Sequence, residues 1–195
     1  LQLAIALMAT GILVGACTAE ESNDGPAETV DDPAAERRRA ILASWADDVI
    51  APTYAQFVTD VEALAEATNA WAAAPEDEAA AADAREAFHA AMDTWQRTEV
   101  WLVGPAGAMT TVAGGEDLRD AIYSWPLVNP CRVDQETVRS SYTDPAAVAD
   151  YAPNVRGLDA LEYLLFFEDP TNQCSPNSSI NRDGEWASLD EAEIS

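Results

Sequence analysis

The chain has 195 residues and a formal charge of −25, from 35 acidic residues against 10 basic ones, every base being an arginine. So acidic a surface excludes nucleic-acid binding and electrostatic attachment to anionic headgroups, and it draws cations toward itself. Salt would relieve the self-repulsion, which points to a saline setting.

Residues 1–16 carry no charge and are dominated by Ala, Ile, Leu, Met and Val. The run is shorter than the ~20 apolar residues of a spanning helix and suits the core of a secretory signal. It ends in Val14-Gly15-Ala16-Cys17, the small residues and cysteine that a bacterial lipoprotein signal peptidase accepts. Cys17 is therefore the expected lipid-attachment residue, and residues 17–33, polar with Pro and Gly, form its tether. No start Met or basic segment precedes the run, as expected of a sequence that begins inside its signal. Attachment is expected through the lipid chains alone, at ~0.8 kcal/mol per buried methylene. The alternative is an ordinary signal peptide that ends near a cysteine.

From Pro33 the pattern turns helical. Residues 34–73 place Ile41, Trp45, Val49, Phe57, Val61, Leu64 and Trp71 at helical spacings, with a kink or break expected near Ile50–Ala51 because of Pro52. A turn at Pro75 leads to a second long helix over about 76–103, closed by Gly104-Pro105. A Gly-rich turn at Gly114-Gly115 precedes a predicted helix over 116–125, halted by Pro126. A loop through Cys131, a short helix near 134–141 and a last clear helix over 157–167 follow. A helical pattern opens again at 183–186. No alternating strand run appears. The fold class is all-α: an up-down helical bundle with long helices and one irregular crossover.

Cys131 and Cys174 remain once Cys17 takes lipid. In an oxidising compartment two cysteines in loop-like sequence read as a disulfide, whose loop closure stabilises by ~4 kcal/mol. The alternative is two free thiols.

Three acids stand out. Leu158, Ala160, Leu161, Leu164, Leu165, Phe166 and Phe167 cover nearly the whole circumference of the helix that begins at Gly157, as in a buried helix. Asp159 and Glu162 interrupt it, about 60° apart on one side. On the 76–103 helix, Phe88, Met92, Trp95 and Leu102 make an apolar stripe with Glu99 in its middle. A buried carboxylate must pair, protonate or bind a cation. Converging, Glu99, Asp159 and Glu162 suit a hard or borderline divalent cation such as Ca²⁺, Mn²⁺ or iron. The alternative is a structural network in which Arg97, Arg119 or Arg156 bridges the acids.

The same residues carry a family likeness. The run Arg156-Gly157-Leu158-Asp159-Ala160-Leu161-Glu162-Tyr163 resembles the GxHxxE signature helix of imelysin-like proteins. Trp95-Gln96-Arg97-Thr98-Glu99 is similar to that family's earlier acidic helix, and Tyr123-Ser124-Trp125-Pro126-Leu127 to its Trp-Pro-Leu segment. The resemblance implies an all-helical two-bundle fold whose first half is residues 34–195. It also implies residence in the periplasm or at the outer membrane and a link to iron acquisition or metallopeptidase activity. Thr18 after Cys17, rather than Asp, points to the outer membrane by the lipoprotein sorting rule. Asp159 stands where the family has His, so an imidazole ligand is missing there. The chain's one histidine, His89, lies on the polar flank of its helix, and no HExxH occurs.

The expected function is that of an envelope-anchored lipoprotein that binds a metal ion or metal-bearing ligand. A metallopeptidase and a helical interaction scaffold are the alternatives.

Overall fold

The computed structural model describes residues 32–189. The signal segment, Cys17 and all but the end of the tether lie outside the described residues, as do residues 190–195.

Asp32 caps the first helix by accepting from the Ala34 amide at 2.9 Å, with Pro33 in the position where its missing N–H costs nothing. Helix α1 spans Pro33–Trp45, and α2 spans Ala51–Ala73. The expected break between them is a single π-turn, Ala46–Ile50, in which the Ala51 amide reaches back five residues to the Ala46 carbonyl. Pro52 explains the turn. Its ring would clash with the carbonyl four residues back, and one extra residue in the turn relieves the clash without ending the helix.

Pro75 turns the chain, Asp77 caps the next helix through the Ala79 amide at 2.9 Å, and α3 runs from Glu78 to Thr98, shorter at both ends than its periodicity suggested. The 3-10 turn Glu99–Trp101 continues it, so Glu99 sits just past the α-helix. Helices α2 and α3 form an antiparallel pair. Ala84 and Ala91, both fully buried and seven residues apart, let the two backbones approach. Phe57 and Leu64 then pack on Phe88, Met92 and Trp95, with the Phe57 and Trp95 rings 5.2 Å apart. Each such side chain contributes ~1.5–3 kcal/mol by leaving water.

The remaining elements are short: α4 Leu118–Ile122, α5 Pro130–Arg139, α6 Pro145–Ala149, α7 Gly157–Phe166 and α8 Ser179–Arg182. They form the crossover, and α7 closes the main core with Leu158 and Leu165. Among the described residues there is no strand.

Ile41 and Trp45, which share the helical pattern of residues 34–73, lie outside the core. They are 52% and 59% exposed, because α1 buries no residue against the other described elements. The helix expected over 116–125 is only α4, since Asp117 adopts a left-handed φ of 55° before it and Tyr123 is extended after it. Cys131 lies in the first turn of a helix, not a loop: Asn129 caps α5 by accepting from the Arg132 amide at 3.1 Å. Helix α7 is not buried all round, because Leu164 is 53% exposed. Beyond Glu185 the described residues hold only the 3-10 turn Trp186–Ser188.

Candidate functional site

The site begins with a glycine. Gly157 opens α7 at φ +83°, where a Cβ would lie 2.7 Å from the Ile122 carbonyl oxygen and 2.9 Å from that of Ala121. Only a residue without a side chain lets α7 start against the end of α4. Tyr123 then leaves α4 in an extended conformation, and the chain passes along the first turns of α7. Two consecutive side chains reach its two acids: the Tyr123 hydroxyl donates to Glu162 Oε2 at 2.9 Å, and the Ser124 hydroxyl donates to Asp159 Oδ2.

Asp159 is 2% exposed, and its second oxygen, Oδ1, has no hydrogen-bond partner among the described residues. Leaving a buried carboxylate oxygen unpaired costs free energy, so this atom marks the site as unfinished by the described residues. Glu162 is half-buried. Glu99 approaches from the end of α3, and Arg119 of α4 holds it, with Nε at 3.1 Å and Nη2 at 3.0 Å from the same oxygen. Arg119 also meets Asp120 at 3.0 Å and donates to the Trp125 carbonyl at 3.4 Å.

Tyr123 is where the three acids meet electrostatically. Burial pushes its phenol pKa up, and the hydrogen bond to Glu162 and the charges of Glu162, Asp159 and Glu99 push it further the same way. The charges of Glu99, Asp159 and Glu162 therefore all act on one phenol, which touches Glu162. The structure does not draw them to a single point: among the described residues no group of three or more His, Cys, Asp or Glu is close enough to hold a metal. Arg119, one of the three arginines expected as possible bridges, pairs with Glu99.

The donors present are carboxylates, a phenol and a hydroxyl, a set that fits a hard cation and offers zinc no nitrogen or sulfur. His89 is exposed on α3, its ring 5.1 Å from that of Phe166, and takes no part. Tyr123 and Ser124 were not singled out as site residues, although the segment containing them carried the family likeness. The signal available was the Trp125-Pro126 pair, whose proline disfavours helix at Trp125 and so ends the helical run just after Tyr123 and Ser124.

Away from the acids, Cys131 and Cys174 are bonded, with sulfurs 1.99 Å and Cα atoms 4.4 Å apart. The loop they close, 43 residues in separation, contains the whole of α7. Among the described residues no helix is long and apolar enough to cross a membrane.

A family model described as Imelysin matches residues 50–184. Iron-regulated protein A of Synechococcus elongatus is 26% identical over 125 residues, which cover 64% of this chain and 31% of that protein. The chain thus spans about a third of the length of that curated relative. No solved structure matches.

Proposed function

The chain belongs to the imelysin family, and from that premise we propose that it is a non-enzymatic, extracytoplasmic protein that binds a metal ion or a metal-bearing ligand in iron acquisition. The single observation that carries the proposal is Asp159 Oδ1, a buried carboxylate oxygen with no partner beside two further acids. A divalent cation is the partner such an atom lacks, and the similarity to a protein named for iron regulation supports iron as the candidate. Asp159 and Glu162 would be the first ligands. Glu99 would join when Arg119 moves aside, and groups outside residues 32–189 would complete the shell. Mn²⁺ and Ca²⁺ share the same donor chemistry.

The test is calorimetric titration of the full-length protein with Fe²⁺, Mn²⁺ and Ca²⁺, together with metal analysis of the purified material. Binding should weaken strongly in Glu162→Ala and Asp159→Asn. Absence of heat with all three ions, or unchanged heat in both variants, would overturn the metal reading.

A second reading, a helical interaction scaffold, is favoured by one observation: the Arg119–Glu99 pair already neutralises one of the three acids. A metallopeptidase gains nothing from the geometry, since Asp159 replaces the family's histidine and His89 lies apart.

We further propose that Cys17 carries diacylglycerol and fixes the protein to the periplasmic face of the outer membrane. Cys17→Ser should then move the protein from the membrane to the soluble fraction, and retention after a high-salt wash would count against the anchor.

A further inference from the structure

A cavity of about 770 Å³ lies at the C-terminal end of α7, between Trp71 of α2, Arg85 of α3, Asp134 of α5, Tyr163 and Phe167 at α7, and Trp186. Its size falls within the ~300–1,000 Å³ of small-molecule sites. It lies apart from the acidic site, sharing none of Glu99, Tyr123, Ser124, Asp159 or Glu162.

Four aromatic rings wall it. The Tyr163 and Phe167 rings stand 4.9 Å apart. Both indole N–H groups are engaged with loop carbonyls, Trp71 with Pro75 at 3.2 Å and Trp186 with Pro170 at 3.3 Å. What the two tryptophans offer a ligand is therefore their ring surfaces, which carry negative electrostatic potential on the face. Arg85 shows that such a surface accepts a cation here: its guanidinium carbon lies 6.0 Å from the Trp71 ring centre.

The polar groups point to the same ligand charge. Asp134 is 3% exposed, and its oxygens accept from the Tyr163 hydroxyl at 2.9 Å and the Gln173 amide at 2.7 Å. No ion pair among the described residues includes it. The lining holds three acids, Asp134, Glu168 and Asp169, against one base, Arg85. That base is already engaged, donating from Nε to the Leu165 carbonyl at 2.8 Å and standing 4.0 Å from Glu168. A bare metal ion matches poorly, because among the described residues no group of three or more His, Cys, Asp or Glu is close enough to hold one. An anion would meet more acids than bases.

We propose that this cavity binds an organic cation, an amine or quaternary ammonium group carried on an apolar body. The ring faces take the cationic head by cation–π attraction, the buried Asp134 supplies the uncompensated negative charge, and the apolar body fills the remaining volume. The proposal stands independently of the metal reading of Glu99, Asp159 and Glu162.

The test is titration of the whole chain with benzyltrimethylammonium chloride, followed by calorimetry and tryptophan fluorescence. Benzoate serves as the anionic control and 3,3-dimethylbutanol as the neutral one. The expected result is saturable binding of the cation, with both controls weaker by about tenfold or more. Asp134→Asn and Trp186→Leu should each weaken the cation by a similar factor while the far-ultraviolet circular dichroism stays unchanged. Should Asp134→Asn fail to fold, Trp186→Leu carries the test, because Trp186 sits on a peripheral 3-10 turn. Absence of saturable binding, equal binding of the neutral control, preference for benzoate, or unchanged affinity in the folded variants would each overturn the assignment.

Discussion

The Tyr123 phenol donates a 2.9 Å hydrogen bond to Glu162, and together with the Ser124–Asp159 bond it ties the crossover to the acidic face of α7. Burial, the bond to Glu162 and the charges of Glu162, Asp159 and Glu99 all push the Tyr123 pKa up. The folded state therefore holds the phenolic proton more tightly than the unfolded chain, whose tyrosines titrate near about 10. Such a group contributes stability that is complete below pH ~10 and is lost as pH rises beyond it. Urea midpoints should accordingly fall above pH ~10, and Tyr123→Phe should make that fall shallower. Identical pH slopes in the two proteins would show that the phenol does not carry the effect.

Arg119 holds Glu99 with its guanidinium at 3.0 and 3.1 Å from the carboxylate, so a cation bound there as proposed would have to compete with it. Both side chains are more than a quarter exposed, so Arg119→Gln should cost only about 1 kcal/mol, less in high salt. The same substitution should raise the affinity for Mn²⁺ or Fe²⁺, because Glu99 becomes free. An affinity that stays level or drops would show that Glu99 takes no part in cation binding.

Gly157→Ala should be severely destabilising. The position combines φ +83° with a Cβ that would lie 2.7 Å from a carbonyl oxygen. Left-handed strain alone costs ~1–3 kcal/mol, and the collision forces α7 off α4 in addition. Equilibrium unfolding should show a loss of at least about 2 kcal/mol. A variant within about 0.5 kcal/mol of the parent would mean that the two helices can separate freely.

The Cys131–Cys174 bond can be checked chemically. In the exported protein, thiol titration under denaturing, non-reducing conditions should find neither cysteine free. Opening this loop, with its separation of 43 residues, should cost ~4 kcal/mol on the chain-entropy account. Two reactive thiols would remove both expectations.

The all-helical class and the α2–α3 pair were legible because Phe57, Leu64, Phe88 and Trp95 repeat at helical spacing and face one another. Asp159 and Glu162 were legible because charge interrupts an apolar run, and Asp159 is indeed buried. Less visible was which groups answer them. Tyr123 and Ser124 reach α7 only because the chain leaves α4 extended, a tertiary fact that periodicity does not contain. Helical spacing placed Ile41 and Trp45 on a helix, as found, but it records only which face they share, while burial depends on whether another helix arrives. The start of α5 could have been read from Asn129-Pro130, a capping residue followed by a proline suited to the first helical turn.

Helix α1 buries no residue, yet it joins α2 without interruption through the π-turn. Its 13 residues rise by ~20 Å, so it acts as a strut of that length between residue 32 and the packed helices. Were Cys17 lipidated as proposed, the strut would add its own length to that of the tether, and so set the greatest height the acids around Tyr123 reach above the lipid surface. Shortening it by whole turns would vary that height while leaving every core contact in place.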